Sequence, residues 1–354
     1  MVDTNLMVAQ PHDPVHDTSA ESPTTPTCLL HLGQIVGQGA FSEVLQVETV
    51  RTVDPVVSCL VLTPALDECV VCETFASSLS VQGLRLVVKR LKDKTLRDQD
   101  MRPLALADLL GEVKVLLSLP RHNHIVALYG VSADQDSPNH TFLLLEQVDT
   151  TLDKCLERIR NTSGSRTGGS IFPLNRKSHA ILATQRKRIQ DYAVGVAQAL
   201  QFLHKYGLVY RDLKPTNVGI VYNNVGDTAQ PTVKLLDFGL VRPCTQWTRG
   251  VKDKYSAGTP RYMSPEQMFF QDHGQAADLH SFGIVLWQIC TLRTPFANGI
   301  TSKFLKQLIA TDQKRPQLSC IQSPVVQELL TRCWSPDPSQ RPPFHEIIPI
   351  LQAI

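Results

Sequence analysis

The stretch that decides the fold is Y-R-D-L-K-P-T-N, residues 210–217. It contains three polar groups of different chemistry: the Asp212 carboxylate can accept a proton, the Lys214 ammonium can neutralise charge, and the Asn217 amide can hold a divalent ion. Further on, Asp237 in L-L-D-F-G supplies a second oxygen ligand suited to Mg²⁺. These residues favour a catalytic loop over a charged turn.

The bulk composition is that of a globular protein without a nucleic-acid bias. The chain has 354 residues, 42% of them hydrophobic and 19% charged, with a formal net charge of +2. This length allows two compact units or one two-lobed unit, and the near-zero charge predicts no nucleic-acid partner.

The nine cysteines are odd in number and scattered, which indicates a reducing compartment: the cytoplasm, with access to the nucleus. Cys69 and Cys72 have the spacing of half a zinc site, but no second half follows at finger or ribbon spacing. Packing of two small apolar side chains is the favoured interpretation of this pair.

The N-terminal segment, residues 1–29, is predicted to be a disordered tail. Residues 1–27 carry four acidic residues, several prolines and no Lys or Arg, so they lack the basic start and apolar core of a signal peptide. The apolar segment at 282–290 is far shorter than the roughly 20 residues that a membrane span needs. We therefore expect no membrane span.

The hydrophobic pattern changes along the chain. Alternating residues at 28–50 and 84–91 predict strands, and helical spacing at 104–119 predicts one helix, before two further strands. Helical patterns then dominate, at 191–204, 281–290 and 325–334.

Other segments lack such patterns and are expected to be connections. Residues 161–170 are predicted to be a loop from their composition, and residues 51–83 and 157–185 to be exposed insertions. An extra strand in the apolar stretch V-V-S-C-L-V-L, residues 56–62, is the alternative for part of the first insertion.

Two motifs precede the catalytic loop. The segment G-Q-G-A-F-S-E-V at 37–44 can bring backbone N–H groups close to phosphates, although Ser42 stands where a third glycine is expected and a plain tight turn is the alternative. Lys89 ends an apolar strand in V-V-K, and Glu112 on the following helix can pair with it and orient it toward nucleotide phosphates.

Taken together, these motifs resemble the signature set of eukaryotic protein kinases, over about residues 30–354. The resemblance implies an α+β bilobal fold. An N-lobe of about residues 30–146 would hold a small antiparallel sheet with one main helix, and a larger, mostly helical C-lobe would cover about residues 147–354.

The resemblance also implies roles for the motif residues. Lys89 would contact the α- and β-phosphates of ATP and pair with Glu112, and Asp212 would be the catalytic base, assisted by Lys214. Asn217 and Asp237 would hold Mg²⁺, with Mn²⁺ as an alternative.

Further residues would form the nucleotide pocket by the same resemblance. Leu145 would be the gatekeeper beside the adenine. The remaining expected contacts with ATP are Gly37, Gln38, Gly39, Val44, Val88, Glu146 and Val148.

Arg211 implies, by resemblance, an activation segment that is ordered when one of its residues is phosphorylated, either by an upstream kinase or by autophosphorylation. Ser256 and Thr248 are the preferred sites, and Thr245 and Tyr255 are the other candidates.

Three structural roles follow from the same resemblance. Glu266 in S-P-E is expected to form a buried ion pair with Arg341, Asp278 to anchor the catalytic-loop backbone, and Tyr210 to act in packing rather than in proton transfer.

Lys214 and Thr259 favour protein serine/threonine substrates, while S-F-G-I-V-L-W-Q-I resembles the tyrosine-kinase-like branch, so dual specificity stays open. Thr216 gives no support for a preference for substrates with basic residues upstream of the phosphorylated residue. A pseudokinase that binds partners or nucleotide without catalysis is the rival. The presence of the lysine, both aspartates and the asparagine favours catalysis.

Overall fold

The computed structural model describes residues 27–53, 68–71, 85–132, 141–164, 174–222, 230–244, 258–269, 274–296 and 300–354. Its strands are β1 (Thr27–Gln38), β2 (Ser42–Val53), β3 (Glu68–Val71), β4 (Leu86–Leu91), β5 (Leu128–Ser132), β6 (Phe142–Glu146), β7 (Thr150–Thr151), β8 (Leu208–Val209), β9 (Val218–Tyr222), β10 (Pro231–Leu235) and β11 (Arg242–Pro243). Its α-helices are α1 (Asp93–Arg97), α2 (Met101–Ser118), α3 (Leu152–Gly164), α4 (Leu174–Arg188), α5 (Val194–Lys205), α6 (Pro265–Met268), α7 (Ala276–Thr291), α8 (Ser302–Lys306), α9 (Pro324–Cys333) and α10 (Phe344–Ala353).

The N-lobe is an antiparallel sheet with strand order β3-β1-β2-β4-β6-β5. Successive side chains of a strand point to opposite faces, so β4 divides its apolar residues between two clusters. Val88 packs on one face with Leu30, Leu45 and Leu144, whereas Val87 packs on the other with the main core. The second face is the one that α2 covers.

Helix α2 forms because apolar residues recur three and four positions apart. Ala105, Leu109, Val113 and Leu116 are buried in one stripe against the sheet. Glu112 lies in the same buried surface. The helix therefore carries one buried carboxylate into the space beneath the sheet.

The C-lobe is built around α5 and α7, whose side chains are mostly buried. Gly195 allows α5 to approach β10 closely, since a Cβ at this position would lie 2.9 Å from Val233 Cβ. Phe282 of α7 meets Phe344 of α10 edge to ring, with centroids 5.3 Å apart. One continuous apolar cluster joins these helices to the inner face of the N-lobe sheet.

The observed architecture confirms the predicted α+β, two-lobed fold: an antiparallel sheet with α2, then a mostly helical C-lobe. Among the described helices, none combines the length and apolar character that crossing a bilayer requires.

Several predicted boundaries were wrong. Residues 27–29 belong to β1, so the predicted tail is shorter than 29 residues, and residues 1–26 lie outside the described part of the chain. Within 51–83, β2 extends to Val53 and β3 adds an edge strand beside β1. Residues 161–164 belong to α3 and not to a loop, and α4 begins at Leu174. Local composition misjudged these segments because pairing and packing with distant residues decide such marginal elements.

Cys69 lies in β3 opposite Leu30, and Cys72 falls outside the described residues. The described residues contain no cluster of three or more His, Cys, Asp or Glu suited to a metal ion.

Candidate active site

Three charged residues from distant parts of the chain meet between the lobes. The Lys89 Nζ atom donates to Glu112 Oε2 at 2.6 Å and to Asp237 Oδ1 at 2.9 Å. Strand β4 supplies the lysine, α2 supplies Glu112, and the segment after β10 supplies Asp237. The Phe238 backbone N–H also donates to Glu112 Oε1 at 3.2 Å, which ties α2 to the D-F-G segment.

The opposite charges of Lys89 and of Glu112 and Asp237 shift one another's pKa values toward the ionised forms. Burial disfavours the ammonium ion of Lys89, but the carboxylates of Asp237 and Glu112 outweigh burial and raise its pKa. The Lys89 charge lowers the pKa of Asp237 despite partial burial. Burial raises the pKa of Glu112 against the opposing effect of Lys89. Lys89 is thus held as a cation directed into the cleft.

The catalytic loop brings Asp212, Lys214 and Asn217 into one hydrogen-bonded group. Lys214 Nζ donates to Asp212 Oδ2 at 2.6 Å, and Asn217 Nδ2 donates to Asp212 Oδ2 at 3.1 Å and to its backbone oxygen at 3.0 Å. Thr259 closes the group, because its hydroxyl donates to Asp212 Oδ1 at 2.8 Å and accepts from Lys214 at 2.9 Å. The Asp212 carboxylate is therefore fixed in orientation by three donors.

The backbone before Asp212 is held by a single buried carboxylate. Asp278 Oδ2 and Oδ1 accept from the backbone N–H groups of Tyr210 and Arg211, each at 2.8 Å. Arg211 has a φ of 76°, a left-handed conformation that costs free energy in a residue other than glycine. His204 Nε2 lies 2.9 Å from Asp278 Oδ2 and shares in holding this carboxylate.

Tyr210 is almost fully buried and packs edge-on against Phe238, with ring centroids 5.8 Å apart. Its hydroxyl donates to the Leu236 backbone oxygen. Burial, with nearby Asp237 and Asp212, raises the pKa of its phenol well above the usual value. Its geometry is that of a packing residue that connects the catalytic loop to D-F-G.

The glycine-rich segment forms a tight turn between β1 and β2. The Gly39 backbone N–H donates to the Ser42 oxygen at 2.8 Å. A Cβ on Gly39 would lie 3.1 Å from Ser42 Oγ, so a larger side chain would crowd the turn. Lys92 Nζ donates to the Gly39 oxygen at 2.5 Å. Sequence reasoning missed this contact, although Lys92 directly follows β4.

Successive side chains of a strand point to opposite faces, and this alternation decides which residues of the sheet face the cleft. Val44 pairs with Lys89 across β2 and β4, and it packs against the cluster that contains Val87 and Leu145. The prediction that Val88 contacts the adenine was wrong, because Val88 is fully buried on the opposite face of β4. Val87, two residues before Lys89, lies on the face of the lysine. Because side chains two residues apart in a strand lie on the same face, the sequence alone could have identified Val87 as the residue beside Lys89.

The connection between the lobes, residues 146–149, is held from both sides. Glu146 Oε2 lies 2.9 Å from Lys234 Nζ on β10 and accepts from the Ala127 backbone N–H at 3.2 Å. Asp149 pairs with Arg85 at 2.6 Å and accepts from the Tyr222 backbone N–H at 2.7 Å. These side-chain contacts were not foreseen from the sequence.

Val148 lies in the same connection and touches Gly219. A Cβ on Gly219 would fall 2.7 Å from a Val148 methyl group. The structure thus places Val148 at the entrance to the C-lobe. Its contact with adenine stays a prediction, as do the contacts of Gly37, Gln38 and Gly39 with ATP.

The activation-segment candidates Thr245, Thr248, Tyr255 and Ser256 lie outside the described residues. Arg211, the residue expected to respond to phosphorylation, is buried, and its backbone oxygen accepts from Gln267 Nε2 at 3.2 Å.

The expected buried ion pair is present. Arg341 donates to Glu266 Oε1 at 2.5 Å and to Oε2 at 3.0 Å, and it also donates to the backbone oxygens of Ala276 and Ser335. Burial by itself would raise the pKa of Glu266. The hydrogen bonds and charge of Arg341 have the larger combined effect, so the pKa of Glu266 is lowered.

The residues predicted to hold a divalent metal carry suitable oxygen atoms. Asp237 is ionised, and its side chain is 50% exposed to the cleft. Asn217 directs its amide nitrogen to Asp212, so its amide oxygen is the atom that a hard cation would use.

Comparison with known proteins agrees with this geometry. The family model described as the protein kinase domain matches residues 75–350. The serine/threonine/tyrosine-protein kinase HT1 of Arabidopsis thaliana is 32% identical over 51% of this chain and 43% of its own length. The dual specificity protein kinase shkC of Dictyostelium discoideum is 34% identical over 49% of this chain and 32% of its own.

The serine/threonine-protein kinase CTR1 of Arabidopsis thaliana is 28% identical over 74% of this chain and 28% of its own length. The chain therefore spans less than half the length of these three relatives. The family model covers well over half of this chain, and its family binds ATP and a divalent metal. The chain belongs to the protein kinase domain family.

Proposed function

We propose that this chain is an ATP-dependent protein serine/threonine kinase that uses Mg²⁺. The single observation that carries the proposal is the hydrogen-bonded group around Asp212, which holds a carboxylate in place within reach of a cleft that also contains Lys89 and Asp237. Phosphoryl transfer requires mainly positioning and charge stabilisation, and this group can supply both.

In the proposed reaction the protein substrate's hydroxyl attacks the γ-phosphorus of ATP, and the bond from that phosphorus to the bridging oxygen of ADP breaks. Asp212 accepts the hydroxyl proton, Lys214 neutralises charge on the transferred group, and Lys89 positions the α- and β-phosphates. Asn217 and Asp237 would hold the divalent ion, which neutralises phosphate charge when bound.

The test compares the wild-type chain with Asp212→Asn and with Asp191→Asn, a control aspartate that pairs with Lys187 on the π-helical turn before α5. Each is incubated with labelled ATP, Mg²⁺ and a generic protein substrate, and nucleotide binding is measured separately. We expect Asp212→Asn to reduce transfer by at least about 10²-fold with nucleotide binding retained, and Asp191→Asn to match the wild type. Equal rates for the wild type and Asp212→Asn would refute the proposal and favour the pseudokinase.

Serine and threonine are the proposed acceptors because Lys214 and Thr259, residue types typical of serine/threonine kinases at these motif positions, both contact Asp212. Two similar proteins are named as serine/threonine/tyrosine or dual specificity kinases, so tyrosine is the alternative acceptor. Phosphoamino-acid analysis of the labelled products distinguishes the two, and abundant phosphotyrosine contradicts the serine/threonine assignment. Replacing Mg²⁺ with Mn²⁺ in the same assay tests the metal.

We further propose activation by phosphorylation of Thr248 or Ser256, by an upstream kinase or by the chain itself. Mass spectrometry of the wild type and Asp212→Asn, with and without ATP, separates the two routes.

The proposed location is the reducing cytoplasm, with access to the nucleus. The scattered cysteines support this location, and five of them, Cys155, Cys244, Cys290, Cys320 and Cys333, are free thiols. Microscopy of a tagged full-length chain tests it.

A further inference from the structure

A cavity of about 810 Å³ lies between the segment before β5, the C-terminal half of α5 and the start of α10. None of the described residues that line it is assigned to ATP, to the metal or to the phosphoacceptor. A volume of this size suits a small molecule or a few residues of a peptide.

The side chains that line this cavity are rich in hydrogen-bond donors. They include four imidazoles, one ammonium group and four carboxamides, and no carboxylate occurs among the lining residues described. The imidazoles belong to His122, His124, His204 and His345, the ammonium group to Lys205, and the carboxamides to Asn123, Gln198, Gln201 and Gln275.

Two basic side chains lie close to His122. Burial lowers the pKa of His122, and the nearby charges of His124 and Lys234 lower it further. Two carboxylates that contact basic groups in this region are already paired: Asp278 Oδ2 lies 2.9 Å from His204 Nε2, and Glu146 Oε2 lies 2.9 Å from Lys234 Nζ.

Some of the lining donors are already used: His124 Nδ1 lies 2.9 Å from the Val233 backbone oxygen, and Gln275 Nε2 donates to the His204 backbone oxygen at 2.7 Å. The groups left for a ligand are the Lys205 ammonium group, the exposed His345 ring and the carboxamides of Asn123, Gln198 and Gln201.

We propose that this cavity binds the phosphate group of a phosphate monoester. A phosphate has three acceptor oxygens and about two negative charges, so it can use several donors at once where a carboxylate would leave many unused. His122 stacks on Phe202 with ring centroids 4.3 Å apart, and its Nδ1 accepts from the His124 backbone N–H at 3.2 Å, so Nε2 is the ring nitrogen left for a polar ligand. The monoester could be a small metabolite or a phosphorylated side chain of a partner protein.

The occupied cavity would be connected with the catalytic loop. His204 lines the cavity and contacts Asp278, and Asp278 accepts from the backbone N–H groups of Tyr210 and Arg211. A ligand that competes for His204 would alter how firmly Asp278 holds this backbone. Two hydrogen bonds in sequence thus separate the cavity from the residue before Asp212.

The test uses the full chain without nucleotide, so its outcome is independent of kinase activity. Histidine ring signals and the amide signals of Tyr210 and Arg211 are followed by NMR during three titrations. The probes are inorganic phosphate, the peptide Gly-Gly-phosphoSer-Gly-Gly and the same peptide without phosphate.

We expect saturable shifts of His122 and His345 with both phosphate-bearing probes and none with the unphosphorylated peptide. The double variant K205Q/H345Q should weaken binding by about tenfold or more, because it replaces an ammonium group and an imidazole at exposed positions with neutral amides, which bind phosphate less strongly. The matched control K303Q, an exposed lysine on α8, should leave binding unchanged.

Tighter binding of the phosphopeptide assigns the phosphate to a partner protein, and equal binding assigns it to a small molecule. Either result supports the proposal. The proposal is overturned if no histidine signal saturates, or if K205Q/H345Q binds phosphate as well as K303Q does.

Discussion

Substituting Glu266→Gln removes one charge from a deeply buried side-chain ion pair of the C-lobe. The Glu266 and Arg341 side chains are 8% and 0% exposed, and two hydrogen bonds of 2.5 and 3.0 Å join them. Arg341 also donates to backbone oxygens of Ala276 and Ser335, so its guanidinium stays buried when the carboxylate is lost. The free energy of unfolding should fall by about 3–5 kcal/mol, the cost of a buried charge left without its partner.

Two further variants isolate the cause. The double substitution Glu266→Leu/Arg341→Met removes both charges and should lose clearly less than Glu266→Gln, since replacing a buried ion pair with apolar groups is often nearly neutral. The control Arg332→Gln breaks the pair with Glu346, which has a similar length of 2.9 Å but side chains 41% and 46% exposed. Because solvent screens that pair, we expect a loss of at most about 1 kcal/mol.

Equilibrium unfolding in guanidinium chloride, with linear extrapolation to water, measures each value. The reasoning is refuted if Glu266→Gln unfolds within about 1 kcal/mol of the wild type, or if the double variant loses as much as the single one. The pH dependence gives a second check. Because Arg341 lowers the folded pKa of Glu266, the stabilisation is present at neutral pH and is lost as pH falls through that lowered value.

Three other changes test separate parts of the structure. Burial, with Arg341 and Arg315, holds the pKa of His280 well below its usual value, so the unfolded chain alone gains a proton in mild acid. Unfolding free energy should fall by up to about 1.4 kcal/mol per pH unit below pH 6.5, and His280→Phe should reduce that slope in urea titrations; an unchanged slope would exclude this histidine as the cause. Tyr210→Phe should cost about 1–3 kcal/mol in the same assay, because a buried carbonyl loses its donor, whereas a neutral result would show that packing alone matters. Asp278→Asn places an amide N–H against a backbone N–H, so kcat should fall about 10²-fold with little change in the KM for ATP, and an unaltered kcat would contradict the anchoring role.

The order of motifs predicted the fold, and the structure and the family match confirm it. The stripe of Ala105, Leu109 and Val113 was readable as a helix because helical spacing is a local property. The weaker segments at 51–83 and 157–185 were misjudged, since β3 depends on pairing with β1 and α3 extends into a polar sequence. Val88 was placed on the wrong face because its neighbour Lys89 was considered without the alternation of the strand.

The sequence by itself determined which chemical groups are available and in what order: a proton acceptor at Asp212, cations at Lys89 and Lys214, and oxygen ligands at Asn217 and Asp237. Only the tertiary structure decided which of them meet. Lys89 and Asp237 are 148 residues apart and come within 2.9 Å because the fold brings β4 and the segment after β10 together at the cleft. The ion pair between Glu146 and Lys234 likewise joins residues that share no sequence motif. The same is true of the residues that line the cavity around His204. The energies of such contacts depend on burial and distance in space, which no local spacing along the chain encodes.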